Sequence, residues 1–123
     1  MEEISPIEKI AALILNQAAE MKSQAVLLDK NGNAKSIILK FKLAGHWRMD
    51  FDRPPKYLWS NLRNVYLLWA GADYWKKGAF SGIIRQHFII QEWSLNVSES
   101  HDVLEFKPIA KNIDGTGEST VRS

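Results

Sequence analysis

The sequence predicts an α+β fold: a mostly antiparallel four- or five-stranded sheet, with an N-terminal helix and a central aromatic-rich helix on one face. Three observations predict it. The chain begins with apolar residues at helical spacing, preceded by capping residues. Apolar and polar residues then alternate, with turn residues between the runs. A helix with a broad apolar surface follows, and two further apolar runs come after it. With 123 residues, of which 46% are hydrophobic, one real core is expected. The domain is placed at 1–110, and the aperiodic tail 111–123 is expected to be disordered.

The first element is a helix at about 5–22. Ser5 suits the N-cap, Pro6 suits the first helical position, and Glu8 completes a capping box. The residues that follow at helical spacing are apolar: Ile7, Ile10, Ala11, Ile14, Leu15 and Ala18. This face is therefore expected to pack on the sheet.

A β-hairpin is expected next, because Asn31-Gly32 separates two apolar runs. The second run alternates over 37–51, where every odd position except Gly45 is apolar. A period of two predicts one buried face, carrying Trp47 and Phe51, and one solvated face. Gly45 leaves two interpretations open: one long strand bends there, or two strands meet at a tight corner that keeps the alternation in phase.

The central helix is expected at about 55–70, with an extension to 77 allowed and Gly71 as the expected weak point or stop. One apolar stripe contains Leu58, Leu62, Val65 and Trp69. Other apolar residues lie outside it: Trp59, Tyr66 and Leu67. A homodimer or partner interface covers this second side in the interpretation we favour, and burial under the first helix or the tail is the alternative.

Two further strands are expected in the C-terminal third. The stretch 83–97 predicts a strand with a bulge near Ile89-Ile90. A partner strand at 103–106 forms a hairpin with it across the linker 98–102.

Composition excludes several classes of function. The chain has no cysteine, which excludes disulfides, thiolate zinc sites and a cysteine nucleophile. A net charge of +2 is too small to indicate nucleic-acid binding by itself. The acidic N-terminal residues and short apolar runs predict no signal peptide and no membrane span, so a cytoplasmic protein without a membrane partner is expected.

A basic stripe is expected on the solvated face of the alternating stretch, formed by Lys40, Lys42, His46 and Arg48, with Arg53 nearby. Spaced cations can follow a phosphate backbone. Stacking also needs aromatic rings on the same face, whereas the alternation places Trp47 on the opposite one. We therefore favour a solvated face, and expect a protein partner more than nucleic acid.

A pair of carboxylates, Asp50 and Asp52, falls on the same polar face about 7 Å apart, a spacing that can hold magnesium. Lys56 follows Asp52 by four residues, and Asp73 lies further on. This spacing resembles that of RusA-like Holliday-junction resolvases. The resemblance implies a magnesium-dependent DNA endonuclease, with the three aspartates on the metal and Lys56 neutralising phosphate charge. The alternative, which we favour, is a solvated strand end paired with arginines.

The favoured function is a non-enzymatic binding protein that engages a macromolecular partner stoichiometrically, without a cofactor or a metal. Homodimerisation is compatible with this function. Partner-binding residues are expected on the central helix and the strand face: Trp59, Tyr66, Leu67, Lys40, Lys42, His46, Arg48 and Arg53. The alternative is the magnesium-dependent nuclease. A cup for a small apolar ligand is permitted by the aromatic content, but no residue pattern selects it.

Overall fold

The computed structural model describes residues 5–31, 35–49, 53–72 and 77–109. Two helices and six strands lie within these ranges, and a short 3₁₀ turn at Lys56–Leu58 leads directly into the second helix. The elements are α1 (Pro6–Glu20), β1 (Ala25–Asp29), β2 (Ile38–Leu43), β3 (His46–Met49), α2 (Trp59–Trp69), β4 (Phe80–Ile84), β5 (Trp93–Val97) and β6 (Val103–Pro108). The tail 111–123 predicted to be disordered lies outside the described residues.

All six strands form one antiparallel sheet in the order β3-β2-β1-β6-β5-β4. The α+β class, the two helices and the antiparallel sheet are confirmed, but the prediction of four or five strands is wrong. The stretch 83–97 was misassigned, whereas the region 37–51 was left open between one bent strand and two strands. The region 37–51 contains two paired strands, and the stretch 83–97 contains only the end of β4 and the whole of β5.

The start of α1 follows its local chemistry. Ser5 Oγ accepts a hydrogen bond from the Glu8 amide at 3.3 Å, and Glu8 Oε1 accepts one from the Ser5 amide at 2.9 Å. These two bonds satisfy two amides that the first turn leaves without helical partners. The predicted capping box is thereby confirmed.

The end of α2 also matches the sequence. Gly71 adopts a φ of 91°, which a residue with a Cβ rarely adopts. The Gly71 amide donates to Leu68 O at 3.1 Å, and the Ala72 amide donates to Leu67 O at 2.8 Å. This pair of bonds is a Schellman motif, which ends the helix at Trp69.

The predicted bulged strand over 83–97 is wrong, because residues 85–92 form a connection between β4 and β5. A side chain of α1 holds this connection: Asn16 Nδ2 donates to Phe88 O at 3.1 Å, and Asn16 Oδ1 accepts from the Ile90 amide at 2.7 Å. Ile89 is buried in the core. Ile89 therefore reflects a loop that packs into the core and not a strand, while Ile90 next to it is exposed.

The core lies between the two helices and one face of the sheet. Alternate residues of the strands contribute to it, among them Leu28, Leu39, Trp93, Leu104 and Phe106. Leu15 of α1 and Leu62 of α2 close it from the other side. Within the described ranges, neither helix is long and apolar enough to cross a membrane.

Candidate binding face of the sheet

Three of the predicted partner-binding residues lie inside the domain. The exposed fractions of Trp59, Tyr66 and Leu67 are 4%, 0% and 0%. The Tyr66 hydroxyl donates to Ala11 O of α1 at 2.9 Å, and burial raises the pKa of Tyr66 far above its ordinary value. The Trp59 indole donates to the carbonyl of His101, in the β5–β6 loop, at 3.3 Å.

The second apolar side of α2 is therefore covered within the chain. Packing under the first helix was the alternative that the sequence left open, and it accounts for Tyr66. Side chains that are at most 4% exposed offer almost no surface to a partner while the domain stays folded. The expectation that these three residues form an interface is corrected accordingly.

The hairpin between β2 and β3 decides which side chains share a face. Ala44 and Gly45 form its two-residue turn, with φ values of 51° and 82°. Positive φ at both central positions is typical of the type I′ turn, whose twist matches the flanking strands. Of the two interpretations left open at Gly45, the one with two strands meeting at a tight corner is correct about the strands.

The alternation does not keep its phase through this turn. Leu43 pairs with His46, and Lys42 pairs with Trp47. Each odd-numbered residue of β2 thus shares a face with an even-numbered residue of β3. Directly opposed residues of an antiparallel pair project to the same side of the sheet. The expectation of one continuous polar face across 40–48 is therefore wrong.

The predicted basic stripe is split between two faces. Lys40 and Lys42 project away from the helices, on the face where they pair with Met49 and Trp47. His46 and Arg48 project toward the helix side, and Arg48 lines a shallow groove beside Gln17. All four residues of β3 are exposed, because β3 is an edge strand at the margin of the sheet.

Trp47 and Met49 were expected to be buried, and both are exposed. Their exposed fractions are 41% and 47%. They lie on the sheet surface opposite the core, hereafter the open face. The residues of the open face alternate with the core residues along each strand: Ala25, Leu27, Asp29, Ile38, Lys40, Lys42, Trp47, Met49, Ser81, Ile83, Ser94, Asn96, Val103, Glu105 and Lys107. Both described helices pack on the other face.

The lysines of the open face form no ion pair with another described residue. Among the described residues, Lys40, Lys42 and Lys107 have no carboxylate within 4.0 Å. The Lys42 ammonium lies 5.8 Å from the centroid of the Trp47 ring, within the range of a cation–π contact. A further cation lies at this edge, since Arg53 Nη1 is 3.4 Å from Met49 Sδ.

One line of residues crosses the open face without an acidic side chain. Lys42 pairs with Trp47 on one side and with Ala25 on the other. The β1–β6 register, continued by one residue beyond Val26–Phe106, places Lys107 beside Ala25. This line is called the tryptophan–lysine row, and its members are Trp47, Lys42, Ala25, Lys107, Ser94 and Ile83.

The distances along this row follow from strand spacing. Trp47 and Lys42 are one strand apart, or about 5 Å, and Lys42 and Lys107 are two strands apart, or about 10 Å. The acids of the open face, Asp29 and Glu105, lie on other rows. Positive charge is therefore concentrated beside the exposed indole ring.

Lys107 was missed by sequence reasoning. Its signal was present, because residues 103–107 alternate between half-exposed and buried positions with Leu104 and Phe106 in the core. The sequence did not indicate that β6 lies in the middle of the sheet, beside β1. Because β6 pairs with β1, Lys107 lies only two strands away from Lys42.

The residues of the predicted metal site fall mainly outside the described ranges: Asp50, Asp52 and Asp73. Lys56 is described, and its amide donates to the carbonyl of Lys35 at 2.8 Å. In the part of the chain that the structure describes, no group of three or more histidines and acids could hold a metal ion. The metal site stays a prediction from sequence.

An apolar groove lies on the other side of the domain, between α1 and residues 54–58. Its volume is about 330 Å³, and Leu13, Ile14, Pro55 and Leu58 are among its lining residues. Leu13 is exposed. Gln17 is the polar side chain in this lining, so the groove offers little to orient a ligand.

Similarity to known proteins assigns no role to either surface. No protein-family model matches the sequence, and no curated protein matches it either. The functional argument therefore depends on the geometry of the open face.

Proposed function

We propose that this protein is a non-enzymatic binding protein that engages a macromolecular partner stoichiometrically through the open face of its sheet. One observation carries the proposal. Trp47 is 41% exposed on a sheet face on which neither described helix packs, and beside it lie lysines with no carboxylate of the described residues within 4.0 Å. Tryptophan is enriched at the energetic centres of interfaces, and a cationic surround adds specificity and speed of association.

The open face is also rigid enough to bind without rearrangement. The strands that form it also contribute side chains to the core on their other face. In β1 and β6 these core side chains are fully buried: Val26, Leu28, Leu104 and Phe106. A preorganised surface loses little conformational entropy on binding. Leu27 and Ile83 add apolar area between the polar groups.

The proposal is tested by mixing the purified protein with single-stranded DNA, branched DNA and polyglutamate, each with and without magnesium. Electrophoretic retardation reports binding, and the length of the DNA reports cleavage. We expect a complex with at least one polymer, DNA of unchanged length, and weaker binding by Trp47→Ala. Tyr57→Ala is the matched control, because Tyr57 is an aromatic residue that is 81% exposed and lies outside the sheet.

Three results would overturn the proposal. The first is the absence of a complex with any polymer. The second is binding by Trp47→Ala equal to that of the control. The third is magnesium-dependent cutting that Asp52→Asn abolishes, which would establish the nuclease alternative.

A further inference from the structure

We infer that the open face binds single-stranded nucleic acid, with a base stacked on Trp47 and phosphates held by Lys42, Lys40 and Lys107. The inference rests on the proposed function and names its partner. The objection to nucleic acid was that the aromatic rings and the cations lay on opposite faces. The observed register removes that objection for Trp47.

The stacking position is the exposed indole of Trp47. It lies on the edge strand of the described sheet and is 41% exposed, so a planar base can approach it from the front. Every base has a π-face, and stacking on an aromatic side chain therefore tolerates any sequence. Lys42, 5.8 Å from the ring centroid, supplies a positive charge for the phosphate next to a stacked base.

The phosphate positions follow the lysines. Lys40 and Lys42 are alternate residues of β2, about 7 Å apart along the strand. Lys107 lies about 10 Å from Lys42 across the sheet. Three cations at these separations, without competing carboxylates within 4.0 Å among the described residues, can each neutralise a different phosphate.

The geometry favours a single strand over a duplex. Five strand spacings separate β3 from β4, so the open face is about 24 Å wide. That width is about twice the roughly 12 Å width of a major groove. A duplex also keeps its base faces stacked on each other, so none is free for Trp47.

The geometry also favours nucleic acid over an acidic protein surface. Carboxylates can pair with the lysines, but an acidic segment offers no general planar partner for the indole ring. The tryptophan–lysine row has no acidic member, so a polyanion can cross it from the edge strand to the middle of the sheet. Asp29 and Glu105 border the route and limit it to this end of the sheet.

The probe is a fluorescein-labelled single strand of about 12 nucleotides, within the usual site sizes of such surfaces. Fluorescence anisotropy measures its affinity. We expect Trp47→Ala to weaken binding about 5- to 150-fold, the range for loss of one base–aromatic stack. Trp47→Phe keeps a planar ring and should retain most of the affinity.

The lysines are tested by salt dependence. Each lost phosphate contact lowers the slope of log affinity against log salt by about 0.7 for a single strand. Lys42→Gln with Lys107→Gln should therefore lower it by about 1.4. The matched double control is Lys9→Gln with Lys77→Gln, since both lysines are exposed and lie outside the sheet.

Four outcomes would overturn the inference. A duplex of the same sequence that binds at least as tightly, or polyglutamate that competes equally well, would show that the site does not select unpaired bases; the proposed function would survive both. Equal affinity of Trp47→Ala and Trp47→Phe would exclude stacking and leave an electrostatic surface. Failure of every polymer to bind would overturn both the inference and the proposed function.

Discussion

Replacing Tyr66 by phenylalanine tests whether the aromatic side of α2 belongs to the core. The substitution keeps the ring, which packs against Phe106 at a centroid distance of 4.7 Å. It removes the hydroxyl, whose hydrogen bond to Ala11 O is 2.9 Å long and fully buried. A net loss of about 1 kcal/mol in the free energy of unfolding is expected at pH 7. Tyr66→Ala also removes the ring and should cost about 3–5 kcal/mol.

The pH dependence gives a sharper test of the same contact. Burial raises the pKa of Tyr66 in the folded protein, whereas in the unfolded chain the hydroxyl titrates near its ordinary value of about 10. Above about pH 10 the Tyr66 hydroxyl therefore ionises in the unfolded state alone, which favours unfolding. The stability that the buried neutral hydroxyl contributes is complete below that pH and is lost as the pH rises. The wild type should lose about 1.4 kcal/mol from this group by pH 11, and Tyr66→Phe should lose none of it.

The assay is urea unfolding of both proteins at pH 7 and pH 11, followed by far-ultraviolet circular dichroism. The stability gap between wild type and Tyr66→Phe should close, or change sign, at the higher pH. A gap that is the same at both values would show that the hydroxyl is not buried. A Tyr66→Ala variant with wild-type stability and a changed oligomeric state would restore the interface interpretation.

Four further predictions concern single residues. Gly82→Ala places a Cβ 2.6 Å from the backbone oxygen of Ala70 and should lower stability by about 1–3 kcal/mol in urea unfolding; an unchanged midpoint would contradict this contact. Ala44→Asn should raise the melting temperature, because asparagine tolerates the φ of 51° better than alanine, and a lower value would argue against the type I′ turn. Ser5→Ala should cost about 1 kcal/mol by loss of the N-cap, and no cost would show that the cap is not formed in solution. Trp47→Ala should cost less than the about 3–5 kcal/mol expected for a core tryptophan, because the side chain is 41% exposed on an edge strand; a loss in that range would place it in the core.

Features fixed by local chemistry were predictable from the sequence. β1 and β2 pair as predicted, but Asp29 lies opposite Ile38, so their connection is longer than the two-residue turn that Asn31-Gly32 indicates. The capping box of α1 and the helix stop at Gly71 each depend on residues close together in the chain. Each has a backbone requirement that few residue types satisfy. The hairpin formed by residues 98–102 was predictable for a similar reason, with Ser98 Oγ accepting from the Val103 amide at 3.1 Å.

The second hairpin was not predictable in the same way. A two-residue turn leaves the apolar–polar alternation of the sequence unbroken while it exchanges the two faces of the sheet. Ala44-Gly45 lacks the asparagine or aspartate that usually indicates a type I′ turn. Periodicity alone therefore placed Trp47 in the core and joined His46 and Arg48 to the wrong lysines.

The cover of α2 and the composition of the open face depend on contacts between distant parts of the chain. Sequence showed that α2 needed two covered sides, but the partner of Tyr66 is Ala11, 55 residues away. Likewise, Lys107 lies in the same row as Lys42, two strands away, because β6 pairs with β1. Such placements follow from topology, which local patterns do not determine.

The most direct test of the binding face is an NMR titration of the full chain with a single strand of about 12 nucleotides. The account predicts that the largest shifts occur at the Trp47 indole and at the amides of β2, β3 and β6 near Lys42 and Lys107. Shifts confined to α1 and α2, with the Trp47 indole signal unmoved, would contradict it.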